Sequence, residues 1–279
     1  VTVVLFLLVV LLLMPYVAGP FLLREQFRQY RQPRIEGLED AVQPRVAREY
    51  FDEVAPQLLA LGLSPGHGGH IELSVESHAF FKLFRDATGE TLALATAIPV
   101  SGAAGGETPV ARYVEFFTRW PDGRELLTNN ATIVQPFPAA RRRSVLRMPR
   151  VDDLALLLRV HGERVASEAR TETPVTTAIN EELQVVANSA MGWLEAQVRR
   201  GYLELDEAQN AWVLTWKGAF VAVWRNLVPL KDLIDRRARL RARRFLESLH
   251  LEVPSVLVGK SRSPEPGKKT LQPPPVRIQ

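Results

Sequence analysis

The chain has 279 residues, with 35 Lys and Arg against 31 Asp and Glu, a net charge of +4, and no cysteine. The missing thiols exclude a disulfide scaffold, a zinc–thiolate site and a thiol nucleophile, and the 46% apolar content excludes wholesale disorder. The apolar residues are unevenly placed: 19 of the first 23 are apolar and none is charged, while the remainder, about 43% apolar, suits one folded body of roughly 150–220 residues.

Residues 1–23 predict a transmembrane anchor. A helix of that length spans about 34 Å, against a hydrocarbon core of roughly 30 Å. It must continue through Pro15, which membrane helices tolerate. Tyr16 and Phe21 fall near the interface. The next stretch carries Arg24, Arg28, Arg31, Arg34, Arg45 and Arg48. Positive flanking residues predict a cytoplasmic body. The expected location is the cell membrane, single-pass, with the lipid bilayer as partner of residues 1–23. The alternative is a cleaved signal peptide with Val3–Met14 as its apolar core and Val17-Ala18-Gly19 as the cleavage site.

Residues 24–44 read as a basic juxtamembrane linker, and 45–150 as a helix plus an antiparallel sheet. Pro44 can open a helix with Val46, Tyr50, Val54 and Leu58 on one stripe. Pro56 should kink or split it, and Gly62 should stop it. Strands are expected at Ile71–Val75, Phe80–Arg85, Thr91–Val100, Val110–Trp120 and Arg124–Val134. Turns fall at Asp86–Gly89 and Pro121-Asp122-Gly123. Leu92, Leu94, Thr96 and Ile98 share one face of their strand. Ala93, Ala95 and Ala97 make the other face thin.

Residues 151–251 read as a helical part containing a hairpin. Helices are expected over about 151–169 and 177–200. Tyr202–Asp206 and Ala211–Thr215 form the hairpin. A last helix starts near Trp216 and reaches toward His250, with Pro229 as its breaking point. Trp216, Phe220 and Trp224 are spaced by four and share a face. Residues 252–279 read as a disordered, Pro-rich tail. The predicted fold class is therefore α+β: an N-terminal transmembrane helix, an antiparallel sheet of four or five strands, then a helical part with a short β-hairpin.

His67, His70, Glu72 and His78 are the candidate metal ligands. In one extended strand His70, Glu72, Ser74, Glu76 and His78 share a face, but consecutive groups stand nearly 7 Å apart, too far for one ion without a bulge. A solvated face opposite Ile71, Leu73 and Val75 explains the pattern more simply. No metal or cofactor is assigned. Gly102–Gly106 lacks the Gly-Lys-Ser/Thr ending of a phosphate loop. No nucleophile–base arrangement stands out, so no catalytic residue is assigned.

Leu194–Gly218 runs helix, Gly-Tyr-Leu, short hairpin, then Leu214-Thr215-x-Lys217-Gly218. These 25 residues resemble the wing of winged-helix domains. In that family the helix before the wing reads DNA and the wing touches backbone. The three-helix unit that precedes the wing there has no counterpart here, and nucleic acid is not expected as a partner. The whole layout is similar to uncharacterised bacterial single-pass membrane proteins with a strand-rich middle and a Thr-Trp-Lys-Gly-Ala segment, here Thr215–Ala219. That resemblance implies no activity.

Two basic clusters remain. Arg141, Arg142, Arg143, Arg147 and Arg150 follow the sheet with no acidic residue among them. Arg236, Arg237, Arg239, Arg241, Arg243 and Arg244 occupy six of nine positions in the last helix. These six point around most of a helix circumference, so they make no clean amphipathic stripe. They are the candidate contacts for anionic lipid headgroups. The sequence thus predicts a membrane-anchored binding or scaffolding module at the cytoplasmic face, with a protein partner as a second expectation. The alternatives are an exported, membrane-tethered ligand-binding domain and a metal-dependent enzyme using the His67–His78 region.

Overall fold

The computed structural model describes residues 2–32, 34–37, 43–74, 77–101, 107–169 and 172–258; within these, side chains 2–12, 73–74, 77–78, 99–101 and 107–110 are not described. The fold is α+β. Helix α1 (Thr2–Gln26) leads to strands β1 (Arg28–Tyr30) and β2 (Arg34–Gly37), then α2 (Arg45–Ala60). Strands β3 (Ser64–Ser74), β4 (Ser77–Arg85), β5 (Thr91–Ser101), β6 (Glu107–Arg119), β7 (Glu125–Asn129) and β8 (Arg143–Arg147) follow. Next come α3 (Leu154–Glu168), α4 (Glu182–Arg199), the hairpin β9 (Leu203–Asp206) and β10 (Ala211–Leu214), α5 (Trp216–Asn226), α6 (Leu230–Ser248) and α7 (Ser255–Val258).

Among the described residues, β2 to β8 form one seven-stranded sheet in sequence order, and β1, β10 and β9 form a second, three-stranded one. The larger sheet exceeds the four or five strands expected and is not wholly antiparallel, because β8 runs parallel to β7. Two short, arginine-bearing strands account for the difference. β2 lies in the stretch that reads as a linker, and β8 lies among the arginines that read as a loop. The turns at Gly89 and Gly123 are as expected, each glycine having positive φ, +73° and +80°.

One sheet face carries the main core. Ala93, Ala95 and Ala97 are at most 1% exposed because α2 lies over them. Tyr50, Phe51, Val54 and Leu58 of α2 fill that layer with Val114 and Phe116 of β6. The thin alanine stripe gives the helix room. Ala95→Leu should therefore overpack it and lower stability by about 1–3 kcal/mol, read as a lower denaturant midpoint. Pro56 does not split α2, which runs unbroken to Ala60. Pro56 and Asp52 both lie on the exposed face. Water can therefore satisfy the Asp52 carbonyl that Pro56 leaves without a donor.

Helix α3 is pinned to the same face by a buried polar chain. Asp153 caps it, accepting from the Leu156 amide at 3.0 Å. His161 is fully buried. Its Nε2 lies 3.0 Å from the Thr118 hydroxyl and its Nδ1 lies 3.1 Å from the Thr128 hydroxyl. Arg164 donates to the Thr128 hydroxyl at 2.8 Å, to the Ser144 hydroxyl at 3.0 Å, and to the Leu127 carbonyl. Arginine can only donate, so the Thr128 proton is free to go to His161 Nδ1. With the imidazole proton on Nε2, donating to Thr118, and Thr118 donating on to Thr91 at 3.1 Å, both ring nitrogens and every hydroxyl of the chain have a partner. Burial, reinforced by the nearby Arg164 charge, pushes the His161 pKa down to about 3. Burial also pushes Arg164 down to about 10.

A second core holds the remaining elements together. Leu194 of α4, Leu203 and Leu214 of the hairpin, and Ala219 and Ala222 of α5 pack around Phe137. Phe137 comes from the crossover between β7 and β8, a connection long enough to reverse the chain for a parallel pair. The predicted helix over 177–200 begins at Glu182, and the last helix divides into α5 and α6 around Pro229. Leu257 of α7 is buried against the main core, so the chain stays ordered into the region that reads as tail. Residues 259–279 of that tail lie outside the described residues.

Candidate functional site

Helix α5 is fixed at its start. Thr215 caps it, accepting from the Gly218 amide at 3.0 Å and donating to the Gly201 carbonyl at 2.7 Å. Gly218 lies directly against the Tyr202 backbone. Its buried side, Ala219 and Ala222, faces the second core. The opposite side carries the expected row of Trp216, Phe220 and Trp224, with the last two in edge contact at 5.4 Å.

Helix α1 lies along α5. Gly19 allows the approach, since a Cβ there would stand 3.0 Å from Val223. The Trp224 indole donates to the Tyr16 carbonyl at 3.0 Å. Phe21 meets Trp216 edge-on at 4.7 Å, and the Arg24 guanidinium sits 4.7 Å above the same indole. Residue 16 is level with 224 and residue 21 with 216, so the helices are antiparallel. Leu13, Met14, Val17, Phe21 and Leu22 of α1, with Trp216 and Trp224, each leave between 45% and 61% of their surface exposed. Seven large apolar residues on two adjacent helices are more than a water-facing surface needs.

No helix among the described residues is long and apolar enough to cross a membrane. The side chains of 2–12, about half of the predicted anchor, lie outside the described residues, so the transmembrane span is not shown.

Helix α6 presents a basic face. Arg236, Arg237, Arg241 and Arg244 are exposed, whereas Arg239 and Arg243 are half-buried. Arg243 pairs with Glu247 at 2.6 Å. At about 100° per residue, the four exposed arginines share an arc of about 140° with the exposed Leu233 and Leu240 and with one exposed acid, Glu247, whose carboxylate is paired with Arg243. Buried Ala242 and Leu246 lie opposite. Burial thus selects a one-sided basic face from six arginines that the helical wheel alone scatters.

The other arginine cluster is largely committed within the fold. Arg143 on β8 reaches Glu125 at 3.7 Å and Glu115 at 3.9 Å, and Arg147 pairs with Asp235 of α6. Arg142 donates to the Asp122 carbonyl at 3.0 Å. Burial raises the Glu115 pKa against the opposing pull of Arg143 and of the Asn129 amide. Burial also raises neighbouring Tyr113 to about 12.

The metal candidates do not converge on one partner. β3 ends at Ser74 and β4 starts at Ser77, so His70 to His78 is a hairpin rather than one strand. Glu72 stands opposite His78 in register, but the His78 side chain is not described. His67 lies 3.4 Å from Glu182 at the start of α4, while His70 lies 3.7 Å from Glu72. Among the described residues no group of three His, Asp or Glu is placed to hold a metal ion. Gly102–Gly106 lies outside the described residues.

The α1–α5 pairing escapes sequence reading because its partners are some 200 residues apart. Its one local signal is Gly19, a small residue within a bulky apolar helix. No family model, curated protein or solved structure matches this chain.

Proposed function

We propose that this chain is a membrane-anchored binding or scaffolding module whose body rests on the cytoplasmic leaflet, holding anionic lipid headgroups with α6. The observation that carries the reading is the α6 outer face, where four exposed arginines share one side of the helix with the exposed Leu233 and Leu240 against a single exposed acid, Glu247. Basic side chains at an anionic surface contribute about 1 kcal/mol each, so four supply about 4 kcal/mol once α1 tethers the body. Leu233 and Leu240 add shallow apolar contact.

The absence of native cysteine makes the test simple. Leu240→Cys, labelled with an environment-sensitive dye, is placed in the full chain in liposomes. Emission should shift to the blue with phosphatidylserine present. The shift should disappear in about 0.5 M salt, where the Debye length falls to a few ångströms. It should also disappear when Arg236, Arg237, Arg241 and Arg244 are replaced by Gln. Identical emission with and without phosphatidylserine at low salt would rule the headgroup contact out. Labelling of the same cysteine in intact cells by a membrane-impermeant reagent would overturn the cytoplasmic assignment.

A further inference from the structure

We propose that α5 is a second lipid-contacting element, with the Trp224 side of the helix seated at the boundary between headgroups and acyl chains. The inference rests on the anchor reading of α1 and adds to it a depth and an orientation.

The antiparallel contacts set the depth. Going back along α1 from its end, the first charged residues are Glu25 and Arg24, and none occurs between Arg24 and Tyr16. If α1 enters a bilayer, the headgroup level falls at Arg24. Trp224 is level with Tyr16, to whose carbonyl its indole donates. Eight residues at 1.5 Å per residue put that level at most about 12 Å inside Arg24, the value for an untilted helix, and tilt brings it back toward the headgroup–acyl boundary. α1 cannot enter without taking α5 with it to a similar level, less whatever tilt allows.

The make-up of α5 suits that position. Gly218–Trp224 contains no charge, which parallels the uncharged stretch of α1 beside it. The charges bracket the run. Lys217 at the outer end donates to the Arg200 carbonyl at 2.7 Å, and Arg225 at the inner end donates to the Gln135 carbonyl at 3.2 Å. Both are thereby held by the body rather than aimed outward with the indoles. Arg225 also limits the depth, keeping α5 at the boundary rather than in the hydrocarbon. The Trp224 indole already has its hydrogen-bond partner, so the ring can leave water without stranding a donor. Arg24 stacked on Trp216 marks the headgroup level, where indoles and basic side chains gather.

Quenching by lipids brominated on the acyl chain tests the depth, using the full chain in phosphatidylcholine liposomes. The comparison is wild type against W224F, with W120F as control, because Trp120 is buried beside β6 in the body. Quenching of total tryptophan emission should fall by at least half in W224F and stay unchanged in W120F. Chain that fails to float with liposomes overturns the anchor reading itself. Chain that floats while W224F quenches like wild type overturns the α5 inference alone, whether Trp224 then proves open to aqueous acrylamide or covered by a second copy of the chain.

Discussion

Gly218→Ala should destabilise the protein by about 3 kcal/mol or more, with a matching fall in the denaturant midpoint. A Cβ at this position would lie 2.0 Å from the Tyr202 carbonyl oxygen and 2.8 Å from its carbonyl carbon. Both are backbone atoms, so no rotamer change relieves the overlap. The carbonyl is also committed, accepting from the Thr215 amide at 3.1 Å. To make room, α5 must lift from β9, breaking the cap and opening the second core. Gly192, inside α4, is the matched control, because an added Cβ there meets nothing within 4 Å. Gly192→Ala should stabilise by about 0.5–1 kcal/mol through helix propensity alone. Opposite signs from the same substitution in two helices would isolate the backbone contact. A neutral Gly218→Ala would mean that α5 does not seat as described.

Lowering the pH from 6.5 toward 3 should remove on the order of 4–5 kcal/mol of stability through His161 alone. Its folded pKa is about 3, against an ordinary value of 6.5. Above pH 6.5 the imidazole is neutral in both states, and the hydrogen-bond chain contributes fully. Below it the unfolded chain takes up a proton that the folded chain refuses. Stability therefore falls by about 1.4 kcal/mol per pH unit until the folded pKa is passed. Carboxylates also titrate in this range, so the informative quantity is a difference. His161→Gln keeps one donor and one acceptor, and it should lower the slope between pH 6 and 4 by about one proton. An unchanged slope would show that His161 is not held neutral.

What the sequence conveyed follows the range of the interactions. The strands from β4 to β7 were legible as apolar runs of strand length bounded by glycine or Asp-Gly turns, with period-two alternation in β5, β6 and β7. The alanine face of β5 was legible as thin, though not as the seat of α2. β2 and β8 were hidden because their arginines read as solvated charge; Arg143 and Arg147 find Glu115, Glu125 and Asp235, far away in sequence. β3 and β4 were expected as separate strands, but the tight turn between them has no glycine or proline to mark it, so His70 to His78 read as one strand when weighed as metal ligands, whereas His78 lies on β4. In the candidate site, the aromatic row of α5 was visible from its spacing of four. Its pairing with α1 was not, since local periodicity carries no information about a partner at the other end of the chain. The one-sided basic face of α6 needed the burial of Ala242 and Leu246 to select four of six arginines.

The bond between Tyr16 and Trp224 joins residues 208 positions apart. At about 5–20 residues per second, a ribosome completes α5 roughly 10–40 s after α1 has emerged. For that interval the apolar flank of α1 around Gly19 has no partner from its own chain. The closing of α1 onto α5 is thus one of the last tertiary events available to the molecule.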